Sequence, residues 1–142
     1  MKVFLSYANQ DRAPVRKIAT ILRNAGLDVW DFATDILPGD NWAAKIQSAL
    51  ESSDAMVAFI SPEALSSGIV SREIEYALGS KHFSGRLIPV TLKTTKQAPW
   101  ILDKIQNLRY ETPAKTGQRI LSHSTQNGAF VGNCTEFLFA TN

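Results

Sequence analysis

Asp54-Ala55-Met56-Val57-Ala58-Phe59-Ile60-Ser61-Pro62-Glu63 is the stretch that decides the fold class of this chain. Its apolar part, Ala55–Ile60, is one buried strand long and is bounded on the left by an acid. Ser61-Pro62-Glu63 then reads as a helix start: a serine cap, proline at the first helical position, and an acid near the positive end of the helix. A buried strand that turns at once into a helix is the repeating unit of a parallel sheet. Working outward, the same unit recurs. Lys2-Val3-Phe4-Leu5-Ser6 is a short strand, followed by a helix capped by Asp11, carrying Val15, Ile18, Ala19, Ile21, Leu22 and Ala25 at helical spacing and ending at Gly26. Leu27–Trp30 is a second strand. Asp31–Asp40 reads as a polar loop with a turn at Leu37-Pro38-Gly39, and Asp40 caps a helix bearing Trp42, Ala43, Ile46, Ala49 and Leu50.

Beyond the central stretch, Ser66-Ser67-Gly68 interrupts the helix, and Val70–Leu78 is helical up to Gly79. Arg86–Leu92 is a fourth strand, where Pro89 points to an edge or a bulge. Ala98–Asp103 is at best a short helix, Ile105–Arg109 a fifth strand, and Pro113–Leu121 a last helix. Strands alternating with helices predict an α/β fold: a flavodoxin-like three-layer sandwich with a central five-stranded parallel sheet and helices on both faces. Ligands in such folds bind beyond the carboxyl ends of the strands. The segments expected to form a site are therefore Tyr7–Gln10, Asp31–Gly39, Ser61–Ser71 and Thr91–Pro99. Residues 1–121 are read as one domain. In residues 122–142, 11 of 21 side chains are Ser, Thr, Asn, Gln or Gly and none is Lys or Arg, so this polar tail is read as a hairpin or a disordered segment.

Composition narrows the class further. The chain has 142 residues, 44% hydrophobic and 20% charged, which suits one globular domain and excludes a coiled coil or a wholly disordered chain. No apolar run is long enough to span a membrane, and the N-terminus has no signal-peptide layout, so a cytoplasmic protein without membrane association is expected. Cys134 is the only cysteine, which excludes an internal disulfide and a cysteine-based zinc site. His82 and His123 are isolated in sequence, so no metal is expected. The net charge of +2 is too mild to argue for nucleic acid. Its distribution is uneven: residues 28–63 hold seven acids and one base, whereas residues 81–119 hold eight bases and two acids. This is ordinary surface variation, or a pair of opposite faces through which copies of the chain associate.

Three groups of residues could carry chemistry. Ser6-Tyr7-Ala8-Asn9-Gln10 lies between a strand and a helix, but no glycine-rich dinucleotide or triphosphate fingerprint accompanies it. Glu73 and Glu75 project about 200° apart on a helix, so only one can border a cleft. Glu73 adjoins the apolar seam of Val70, Ile74, Ala77 and Leu78; it is either a rim carboxylate suited to a glycosidic carbon or a surface acid paired with Arg72. Trp30 ends a strand and is open to either core or cleft, whereas Trp42 in the first turn of a helix is expected to pack.

Taken together, Val3-Phe4-Leu5-Ser6-Tyr7-Ala8, Val29-Trp30 with Leu37-Pro38-Gly39-Asp40-Asn41-Trp42, Asp54–Pro62, and Ser71-Arg72-Glu73-Ile74-Glu75-Tyr76-Ala77-Leu78 resemble, in order and spacing, the motifs of a TIR (Toll/interleukin receptor homology) domain. The resemblance spans residues 2–110. It implies one of two functions. One branch of the family consists of adaptor modules that signal by self-association. The other, of bacterial type, cleaves NAD+ at the nicotinamide–ribose bond and releases ADP-ribose or a cyclic isomer, in some members as a signal to an effector in antiphage defence. The resemblance puts Glu73 on the catalytic glutamate, Trp30 on an aromatic that lies against the nucleotide, with Asp31 and Phe32 beside it, and Ser6, Tyr7 and Ala8 on a segment near phosphates and ribose. NAD+ would be a substrate, so no cofactor is implied, and any effector would act in trans. Two departures stand out: Ile69 lies four residues before Glu73, where enzymes of the family often carry Trp or Cys, and Asp31-Phe32 inverts the usual order of aromatic and acid. The carboxylate at 73 favours the enzyme, an NAD+ glycohydrolase that works as an oligomer, with a non-catalytic adaptor as the alternative. A nucleoside deoxyribosyltransferase-like enzyme is a third reading, disfavoured by the Pro38-Gly39-Asp40-Asn41-Trp42 loop.

Overall fold

The computed structural model of the protein describes residues 2–83, 86–93, 95 and 108–126, the last four as backbone. Five strands form one sheet in the order β2-β1-β3-β4-β5: β1 (Lys2–Ser6), β2 (Asp28–Trp30), β3 (Ala55–Ile60), β4 (Leu87–Thr91) and β5 (Leu108–Arg109). Every pairing is parallel, from Val3 opposite Val29 and Ala55 to Thr91 opposite Arg109. The order reverses between β1 and β3, which puts the topological switch point at the carboxyl end of β1.

The helices cover both faces. Helices α1 (Arg12–Asn24) and α6 (Pro113–Gln126) lie on one, where Val15, Ile18, Leu22, Ile120 and Leu121 meet Val3, Leu5, Val57 and Phe59. Helices α3 (Trp42–Ser52), α4 (Pro62–Ser66) and α5 (Gly68–Gly79) lie on the other, where Ile46, Leu50, Val70 and Ile74 meet Phe4, Met56, Ala58 and Ile60. The alternation of strand side chains decides this partition: Val3 and Leu5 point one way, Phe4 and Ser6 the other. Gly26 ends α1 at φ 94°, a backbone conformation that costs glycine nothing.

Several local expectations are corrected. Asp11 precedes α1 without capping it through its side chain; the carboxylate is buried instead and accepts a hydrogen bond from the Ser61 hydroxyl. The segment after β2 is not wholly loop: Asp31 caps a short helix, α2 (Phe32–Asp35), by accepting from the Ala33 N–H, and Asp35 accepts from the Asp31 N–H in return. Asn41, not Asp40, caps α3, because the Asp40 carboxylate is held by the Leu37 N–H and by Lys45. Pro89 sits in a strand flanked on both sides, opposite Ala58 of β3, and not at a sheet edge. Helix α6 runs past Leu121 to Gln126, so a boundary at 121 falls inside a helix. The short helix at Ala98–Asp103, most of the Thr91–Pro99 segment and residues 127–142 lie outside the described residues. No helix among the described residues is long and apolar enough to cross a membrane.

Candidate active site

A cavity of about 600 Å³ opens at the carboxyl ends of β1 and β3, beside the switch point. Three of the four expected segments build it. Tyr7, Ala8, Asn9 and Gln10 follow β1; Phe32 and Ala33 follow β2; Pro62, Glu63, Ser66, Ser67, Ile69, Val70 and Glu73 come from α4 and α5, with Leu5 at the floor. The wall is shaped by helix caps. Ser61 holds α4 by accepting from the Ala64 N–H, and Ser67 holds α5 by accepting from the Val70 N–H. The break at Ser67 turns the chain so that α5 presents Glu73 to the sheet.

Glu73 is the chemical centre of this cavity. Only 7% of its surface is exposed, and its Oε2 accepts a hydrogen bond of 2.6 Å from the Ser6 hydroxyl. Oε1 accepts none from the described residues. Burial pushes the Glu73 carboxyl up to about 7, against the opposing effect of the Ser6 hydrogen bond. A carboxyl group titrating near neutrality in a cleft is poised either to hold a proton or to offset a positive charge. Arg72 forms no ion pair with Glu73, so the surface-acid reading does not describe this residue.

The remaining candidates divide. Tyr7, Ala8 and Phe32 line the cavity with Glu73. The Tyr7 hydroxyl donates to Asp31 Oδ1, and burial together with this hydrogen bond raises the phenol well above its usual range. Asp31 is itself buried and lies behind the wall; its Oδ2 has no hydrogen-bond partner among the described residues. Ser6 is likewise wholly buried and reaches Glu73 from the sheet without lining the cavity. Trp30 lies in the core, stacked on Phe4 at 4.8 Å with 10° between the rings, and is not on the cavity wall. Trp42, expected to pack, is instead 49% exposed in the first turn of α3.

Further contributions were not legible in the sequence. Asp11 accepts from Ser61 and lies 3.8 Å from Lys93, which also reaches Glu63 at 3.5 Å. This cluster ties the segment after β1 to the start of α4 and the end of β4. Its members are 50 or more residues apart in two of the three links, with no local signal to join them. Among the described residues, no three His, Cys, Asp or Glu side chains converge as metal ligands.

The comparisons with known proteins agree with this architecture. The family model described as TIR domain matches residues 3–131. No curated protein matches the chain in sequence. Among solved structures, the TIR domain of the Toll-related receptor TRR-2 from Hydra magnipapillata is similar with a TM-score of 0.68 at 21% identity, over 89% of this chain and 96% of that one. The CMP N-glycosidase BcmB from Clostridium botulinum is similar with a TM-score of 0.58 at 17% identity, over 84% of this chain and 98% of that one. At these identities the likeness is one of fold. With the family model covering most of its length and the sheet order and cavity described above, the chain belongs to the TIR-domain family.

Proposed function

We propose that the protein is an NAD+ glycohydrolase in which Glu73 carries the reaction. The observation that carries this reading is a buried carboxyl group, titrating near 7, on the wall of a cavity at the carboxyl end of the sheet. The only ionisable acids and bases that line the described cavity, tyrosine aside, are Glu63 and Glu73, both acidic. That charge suits the pyridinium end of NAD+, which is cationic.

The chemistry is balanced. The bond between ribose C1′ and the pyridinium nitrogen breaks, its electron pair goes to nitrogen, and nicotinamide leaves neutral. Positive charge develops on the ribose. Ionised Glu73 offsets that charge or bonds to C1′. Water then attacks C1′ and loses a proton, giving ADP-ribose; attack by an adenine nitrogen instead gives a cyclic isomer. Because the ionised form acts, kcat/KM is expected to rise with pH through about 7.

Self-association completes the proposal. Leu37 is 62% exposed at the tip of the segment after β2, near exposed Trp42, and Phe32, Ile69 and Tyr76 are exposed as well. Apolar surface of this kind favours contact between copies, and specific activity is expected to rise with protein concentration. The likeness to a CMP N-glycosidase supports a second substrate to be tried, since both reactions break a bond between ribose C1′ and a ring nitrogen.

The test incubates concentrated protein with NAD+ and, separately, with CMP, and measures free base. Nicotinamide release that falls about 10²–10³-fold in Glu73→Gln supports the proposal. Release of cytosine alone transfers Glu73 to nucleotide hydrolysis. Release of neither base at any concentration favours the adaptor.

A further inference from the structure

Ser6 is a wholly buried hydroxyl-bearing residue of β1, on the face of the sheet that packs against α5. Its neighbours there are Phe4, Met56, Ala58 and Ile60, all apolar. A hydroxyl in such a layer costs stability unless it is hydrogen-bonded. Its partner is Glu73 Oε2 at 2.6 Å, 67 residues away in sequence. The hydroxyl cannot reach substrate, since Ser6 is 0% exposed and is not on the cavity wall. The two oxygens of Glu73 therefore have separate tasks: one is anchored to the sheet, and the other accepts no hydrogen bond from the described residues and belongs to a group that lines the cavity.

From this geometry we infer that Ser6 is a positioning residue, which fixes the Glu73 carboxylate against the sheet and favours its ionised form, rather than a residue that binds substrate. The inference rests on the proposed role of Glu73 for its catalytic consequence but not for its titration. A hydroxyl donating to a carboxylate stabilises the charge, whereas a methyl group in its place leaves burial unopposed. Among the described residues no other group donates to Glu73. Among the described residues of α4, β1 and the 3-10 turn Lys81–Phe83, which pack against α5, the titratable side chains are Glu63, Lys2, Lys81 and His82. Tyr7 shares the cavity, its hydroxyl already committed to Asp31, and α5 itself carries Arg72, Glu75 and Tyr76. Burial raises the Glu73 carboxyl and the Ser6 hydrogen bond opposes it.

The experiment compares wild type, Ser6→Ala and Ser6→Cys, the last an isosteric side chain with a weaker donor. Protein labelled with ¹³C at glutamate side-chain carboxyls is titrated by NMR, and the Glu73 signal is identified by its absence in Glu73→Gln. In wild type the midpoint is expected near 7. In Ser6→Ala it should move up by about one pH unit, with Ser6→Cys between the two. The acid limb of the pH profile of kcat/KM for NAD+ should move by the same amount, with KM changing less than kcat. An unmoved midpoint in both variants overturns the inference. So does a loss of activity that is uniform across pH with an unmoved midpoint, which would make Ser6 a substrate contact. If NAD+ is not hydrolysed at all, the functional proposal fails while the carboxyl titration still decides the role of Ser6.

Discussion

The charge on Glu73 that serves the proposed reaction should cost the protein stability, and the cost can be measured without any substrate. Burial raises this carboxyl from 4.5 to about 7. Below pH 4.5 the group is protonated in both the folded and the unfolded chain, and its stabilising effect is fully present. Between 4.5 and 7 the unfolded chain releases the proton while the folded chain retains it, so stability falls as pH rises. Above 7 both are ionised, and the loss is complete. The gap between the two values corresponds to about 3 kcal/mol. Glutamine at position 73 keeps the shape and an oxygen for Ser6 but cannot ionise, so this loss disappears. Its amide introduces a fixed cost for an unmatched N–H group, independent of pH. The diagnostic quantity is therefore how the stability difference between Glu73→Gln and wild type changes with pH. Urea unfolding at intervals from pH 4.5 to 8.5 should show the variant gaining on wild type by about 3 kcal/mol. In thermal melts of a domain this size the gain is about 10 °C. Parallel stability curves for the two proteins would mean that Glu73 is not desolvated in the folded state, and the account of the site would fail. Such a gain on removing the Glu73 charge would be the usual sign of stability given up for the proposed function.

The other predictions concern packing around the site. Trp30→Ala should cost about 3–5 kcal/mol, because the ring is buried on Phe4, whereas Trp42→Ala should change stability little, as its ring is half exposed; chemical unfolding that ranks them in the opposite order refutes the assignment. Tyr7→Phe removes the donor to buried Asp31 and should destabilise by about 1–3 kcal/mol. Gly117→Ala should destabilise by about 1–3 kcal/mol despite the higher helix propensity of alanine, since its Cβ would lie 2.8 Å from Ile21 Cγ2 where α6 crosses α1; equal or higher stability would show that Ile21 can give way.

Some of this molecule is written in local pattern. The strand at Ala55–Ile60, the Ser61 cap with Pro62 behind it, and the stop at Gly26 follow from nearest-neighbour chemistry, because a buried strand needs apolar side chains and a helix end needs a cap or a left-handed residue. Such units repeated along the sequence suffice for a parallel sheet with helices on both faces. Glu73 was legible as a group beside an apolar seam, since helical periodicity states which residues share a face. Other features depended on residues far apart in the chain. Whether Asp11 caps its own helix or accepts from Ser61, and whether Asp40 or Asn41 caps α3, are contests between donors and acceptors that only the folded chain brings together. The environments of Trp30 and Trp42 have the same origin. Periodicity says that a ring lies on a given face, but only its packed neighbours decide whether it is covered: Phe4 stacks on Trp30, whereas Trp42 is half exposed. Ser6 shows the limit most clearly: strand alternation assigns it to one face, but only the packing of α5 on β1 turns that hydroxyl into the partner of Glu73, because a hydrogen bond requires contact and contact across 67 residues belongs to the tertiary structure.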